Sequence, residues 1–161
     1  MMISVVGGDS APPEVLAAAE TLGRELARRG CTIVCGGRGG VMEAVCRGAR
    51  AEGGHTIGIL PGPDLADCNP HVEFPVVTGL GYARNVIVVL SGDAVVALDG
   101  AFGTLSEIAH ALTYGKPVVG LHTWRFENES SSDAAIIRAT DAVDAAEKAV
   151  AAARERRARR G

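Results

Sequence analysis

Short aliphatic runs that mostly stop at glycine and give way to amphipathic stretches recur along this chain. That alternation constrains the fold more than any other feature. The runs MISVVGG (2–8), CTIVCGG (31–37), HTIGILPG (55–62), DAVVALDG (93–100) and KPVVGLH (116–122) are rich in Val, Ile and Leu, with little polar alternation. Such runs suit strands buried on both faces, as in a parallel sheet covered by helices. Between them lie the helical stretches 10–30, 41–54 and 104–115, and 140–157 closes the chain. Ser10 and Thr140 stand where N-caps belong, Pro12 and Pro13 suit a first turn, and Gly30 suits a stop. The pattern implies an α/β fold with a doubly wound, mainly parallel sheet flanked by helices. At 161 residues the chain is expected to form one domain, 1–161.

Five further segments complete the reading. VEFPVVTG (72–79) is a strand placed at an edge by Pro75, and AAIIRA (134–139) is a last short strand; PDLADCNPHV (63–72) and ENESSSD (127–133) are loops. NVIVVLSGDAVVAL (85–98) reads either as a hairpin or as a buried helix over 81–91 feeding a strand. The surrounding β-α-β order favours the helix, and one so apolar needs cover on both faces, which a dimer partner would supply.

Charge and cysteine usage narrow the function classes. The net charge of −3 implies no general attraction to nucleic acid. The RERRARR tail (154–160) carries a local +4 and is expected to be a frayed, solvated helix end; contact with an acidic partner or single-stranded DNA is the alternative. Cys31 and Cys35 would lie about 13 Å apart along one strand, too far for one metal or a disulfide. With Cys46 and Cys68 they are expected to be reduced, mostly buried thiols, and no metal site is expected. No signal peptide and no 18-residue apolar span is evident, so a cytoplasmic location without membrane contact is expected.

Glycine at the carboxyl end of a strand, followed by a helix, lets backbone N–H groups approach an anion at a helix N-terminus. Three junctions have this form: Gly7-Gly8; Gly36-Gly37-Arg38-Gly39-Gly40, with Met42 just beyond; and Gly100-Ala101-Phe102-Gly103-Thr104. All would open on one edge of the sheet, where ligands bind in open α/β folds. Neither G-x-G-x-x-G nor G-x-x-x-x-G-K-[ST] occurs. The expected partner is a small phosphorylated ligand held by these loops, and no cofactor is required. Thr104-Leu-Ser-Glu107 fits a capping box, with Glu107 reaching back to the helix start. The same spacing equally leaves Glu107 beside whatever the loop holds.

The segments GGRGGVMEAVCRGA (36–49), GYARN (81–85) and DGAFGTLSE (99–107) resemble the lonely-guy (LOG) family, often mislabelled lysine decarboxylases. They are more similar still to a branch of short proteins related to DNA-processing protein A that includes algal molybdenum-cofactor carriers. The resemblance runs from about residue 3 to 125 and implies a Rossmann-like, usually dimeric fold. LOG enzymes split the N-glycosidic bond of cytokinin nucleoside 5′-monophosphates. Carried over, their phosphate loop falls on Gly100, Gly103 and Thr104, their catalytic Glu on Glu107 and their Arg on Arg84. Arg84 would pair with the ligand phosphate or with Glu107. Three positions depart from the LOG pattern: Asp99 stands for Pro, Ala101 for Gly, and Asn85 for a basic residue. These favour a binding or carrier protein for a nucleotide or the molybdenum cofactor, with a nucleoside monophosphate phosphoribohydrolase as the alternative. Lysine decarboxylation would need a Schiff-base lysine, and the chain has only Lys116 and Lys148.

Overall fold

The aliphatic runs pair into one seven-stranded parallel sheet in the order β4-β3-β2-β1-β5-β6-β7. The computed structural model describes residues 1–126 and 136–159. The strands are β1 (Met2–Gly7), β2 (Thr32–Cys35), β3 (Thr56–Leu60), β4 (Phe74–Val77), β5 (Ala94–Leu98), β6 (Val118–Leu121) and β7 (Ile136–Arg138). The helices are α1 (Pro13–Arg28), α2 (Val41–Ala51), α3 (Asn85–Ser91), α4 (Phe102–Thr113) and α5 (Ala142–Ala158). A single 3₁₀ turn, Gly81–Arg84, leads into α3.

The strands are aliphatic throughout because each central one packs on two sides. In β5, Ala94, Val96 and Leu98 join the larger core with residues of α1, α2 and α5, while Val95 and Ala97 join a second core against α3 and α4. Burying both faces supplies most of the stabilisation, at about 25 cal/mol per Å² of apolar surface removed from water.

The chain builds outward from β1 to β4, crosses back, and continues outward from β5 to β7. Strand order therefore reverses between β1 and β5, which pair from Ile3 opposite Ala94 to Gly7 opposite Leu98. Loops leaving the two strands diverge to opposite faces, and a crevice opens beyond Gly7 and Leu98.

Several local expectations change. Residues 85–98 are helix and then strand, as the β-α-β order favours, but the expected helix over 81–91 opens with the 3₁₀ turn Gly81–Arg84. In α3, Val88 and Val89 are buried, and Ile87 and Leu90 face outward, on the side left for a second cover. Ser10 does not cap α1; Pro12 takes that place and no side chain caps it, since Pro at the helix start leaves fewer N–H groups needing a partner. α5 is capped by Asp141, whose carboxylate accepts from the Val143 and Asp144 amides at 2.9 Å each, and not by Thr140. A carboxylate is the better acceptor at a helix N-terminus. The basic tail is not frayed where described: α5 runs to Ala158, and Arg157 pairs with Asp93 at 2.8 Å. Pro75 sits in the edge strand β4, as expected. β7 starts at Ile136; the expected loop 127–133 and strand residues 134–135 lie outside the described residues. No helix among the described residues is long and apolar enough to cross a membrane.

Candidate ligand site

The crevice at the strand-order reversal is a cavity of about 470 Å³. Its walls come from the loops after β1, β2 and β5, the 3₁₀ turn, the starts of α2 and α3, and the first two turns of α4. Of the residues singled out from sequence, Gly7, Gly8, Gly36, Met42, Arg84, Gly100, Ala101, Gly103, Thr104 and Glu107 line it.

The α4 end of the cavity is built by backbone. Ala101 is the N-cap, in extended conformation, so this position does not need glycine. The unusual backbone falls on Asp99, at φ 47°, whose carbonyl accepts a 2.7 Å bond from Thr123 Oγ1. Leu105 N is the first amide to bond back along the helix, to Ala101 O at 3.0 Å. No side chain caps the amides before it. The amides of Phe102, Gly103 and Thr104 are thus the orphan donors of a helix start.

The expected capping box does not form. The helix begins at Phe102, three residues earlier than that motif requires, so Thr104 sits inside the first turn and packs against Gly100. Glu107, released from capping, is 6% exposed and lines the cavity. Its Oε1 lies 3.8 Å from Arg84 Nη1, beyond hydrogen-bond length. Arg84 is 7% exposed, and its Nε has no hydrogen-bond partner. Burial pushes the Glu107 carboxyl up to about 8; Arg84 opposes this and Asp9 adds to it. Burial likewise lowers the Arg84 guanidinium from its ordinary value, against the pull of Glu107. A guanidinium in a poorly solvated site with a free N–H favours an anion that can use it.

The glycines of the second junction serve different ends. At Gly36 a Cβ would fall on the Arg84 guanidinium, with Cζ 2.7 Å away, so the missing side chain is the space Arg84 occupies. Gly40, at φ 60°, lets the loops after β1 and β2 touch: Val41 N donates to Gly8 O at 3.0 Å. Gly37, Gly39 and Gly40 do not line the cavity; they shape and support the loop that does. Asn69 braces it, donating from Nδ2 to Gly37 O at 3.1 Å and Arg38 O at 2.9 Å. Phe102 also stays outside: it is 79% exposed, with its ring 6.0 Å from that of Trp124.

Val6, Asp9, Ser10, Arg38, Tyr82, Asn85 and Asp99 also line the cavity, though the sequence did not mark them as site residues. Each lies within or beside one of the quoted motifs, and that was their only signal. Arg38 and Asp9 pair at 2.7 Å across the two loops. Asn85 donates to Ser106 Oγ at 3.1 Å, tying the start of α3 to α4. Below the cavity, Cys35 and Cys46 Sγ approach to 3.5 Å, a contact invisible in their sequence spacing. The Cys46 hydrogen bond draws the Cys35 thiol down and holds the Cys46 thiol up. The described residues contain no cluster of His, Cys, Asp or Glu able to hold a metal ion.

The chain has relatives among known proteins. The chain is similar to the molybdenum cofactor binding protein from the phototrophic bacterium Rippkaea orientalis, with 36% identity, TM-score 0.85, and coverage of 93% of this chain and 95% of that one. It is similar to the molybdenum cofactor carrier protein from Chlamydomonas reinhardtii, with 37% identity, TM-score 0.83, and coverage of 94% and 96%. In sequence it is 36% identical over 122 residues to the cytokinin riboside 5′-monophosphate phosphoribohydrolase of Mycobacterium tuberculosis, covering 69% of this chain and 64% of that enzyme. With residues 1–151 matching its family model, the chain belongs to the SLOG cluster4 family.

Proposed function

We propose that this protein binds a nucleotide or the molybdenum cofactor in the crevice beyond β1 and β5, as a binding or carrier protein. The phosphate of the ligand meets the amides of Gly103 and Thr104 and the Arg84 guanidinium. Gly7, Gly8, Gly36 and Gly100 let the ligand approach the backbone. The observation that carries this reading is Arg84, buried on the cavity wall with an unpartnered Nε close to an uncapped helix start. The two structural relatives that bind or carry the molybdenum cofactor favour that molecule as cargo. We place the protein in the cytoplasm as a homodimer, with the outward Ile87 and Leu90 of α3 in the interface. Sedimentation velocity tests the dimer. The +4 tail is not assigned to DNA, because Arg157 already pairs with Asp93.

A second reading has its own observation. Glu107 is a buried carboxyl with a raised pKa, beside an arginine and facing the same cavity. In a phosphoribohydrolase its ionised form would steady an oxocarbenium-like state or orient the attacking water. One assay separates the two. Incubation with AMP that releases adenine, and ceases to do so in Glu107→Ala, supports the hydrolase. Tight AMP or cofactor binding without base release supports the carrier. No binding of AMP or of the molybdenum cofactor overturns both.

A further inference from the structure

Of the six aromatic side chains, Tyr82 alone lines the cavity among the described residues. It is also the most exposed large apolar side chain described, at 82%. Packing therefore does not explain its presence. Its backbone, by contrast, is held firmly. Thr78 Oγ1 donates to Leu60 O at 2.6 Å, Gly79 N to Gly62 O at 3.0 Å, and Gly81 N to Pro61 O at 3.0 Å. These bonds fasten the segment before the 3₁₀ turn to the end of β3. Two residues on, the same turn delivers Arg84 to the cavity. A well-anchored turn thus carries one cationic and one aromatic side chain to one cavity, the cation buried and the ring at the rim.

Resting on the ligand reading above, we infer that Tyr82 is a specificity-determining residue: its ring face stacks on a planar heterocycle, and the cavity takes heterocycle-bearing monophosphates in preference to bare sugar phosphates. A rigid ring with one face free costs little side-chain entropy on binding, and stacking tolerates different heterocycles because each has a π-face. Arg84 and the α4 amides then take the phosphate, while Tyr82 selects what the phosphate carries.

Titration calorimetry with AMP and with ribose 5-phosphate tests this, on the wild type, Tyr82→Ala and Tyr82→Phe. Tyr82→Ala should weaken AMP binding about tenfold and leave ribose 5-phosphate unchanged. Tyr82→Phe should match the wild type for both, because the ring face is what acts. Wild-type AMP affinity retained in Tyr82→Ala overturns the inference and spares the phosphate site. Equal weakening of both probes also overturns it, since Tyr82 would then only support the turn. Failure of the wild type to bind AMP overturns this inference, whereas the ligand reading falls only if the molybdenum cofactor also fails to bind.

Discussion

Replacing Glu107 by Gln changes one buried group by one ionisable proton, and the structure sets the sign and size of the effect. Below pH 4.5 the carboxyl is protonated in the folded and unfolded chain alike. Between pH 4.5 and about 8 the unfolded chain ionises it while the folded chain keeps it neutral, because burial outweighs the attraction of Arg84. Folding stability therefore falls with rising pH across that window, by about 1.4 kcal/mol per pH unit, and levels off above it. Across the whole window the loss is about 5 kcal/mol. A carboxamide has no such proton. Glu107→Gln should match the wild type within ~1 kcal/mol at pH 4.5, then gain on it steadily up to pH 8. Urea denaturation of both proteins at pH 4.5, 6, 7, 8 and 9 reads this difference directly. A difference that stays flat with pH would refute the reasoning. So would a variant less stable than the wild type at pH 9, which would mean that Glu107 is ionised and held by Arg84.

Further outcomes follow from the same geometry. Gly36→Ala puts a methyl on the Arg84 guanidinium, so Arg84 must leave its place; AMP affinity should fall roughly 10- to 100-fold with circular dichroism unchanged. Asp9→Asn removes a carboxylate from the cavity wall and frees Arg38, and should raise AMP affinity several-fold at low salt, less at high salt, in calorimetric titrations. Asn69→Ala removes two bonds to the Gly37–Arg38 backbone and the one accepted from His71 N, and should cost about 1–3 kcal/mol in urea denaturation.

The sheet could be read from sequence because strands packed on two sides leave an unmistakable aliphatic record, as in AVVAL (94–98). The ambiguous stretch 85–98 resolved correctly for a similar reason: a parallel sheet demands a crossover, and α3 provides it. Helix starts were harder. Ser10, Thr140 and Asp141 are all plausible caps in sequence, and one residue of register decides among them. That register also decided Glu107, since α4 starting at Phe102 removes the capping box and leaves the carboxyl on the cavity wall. Arg84 and Glu107 lie 23 residues apart and come to 3.8 Å, a proximity that only the family resemblance suggested. The Arg38–Asp9 pair and the Cys35–Cys46 contact join different elements, and no local pattern announces them.

A crystal structure obtained in the presence of AMP bears most directly on the claim that this crevice holds a phosphorylated guest. The phosphate should lie within hydrogen-bond distance of the Gly103 and Thr104 nitrogens, with an Arg84 nitrogen turned toward it. An AMP molecule seated elsewhere, or a crevice left vacant at saturating AMP with Arg84 still beside Glu107, would contradict the account.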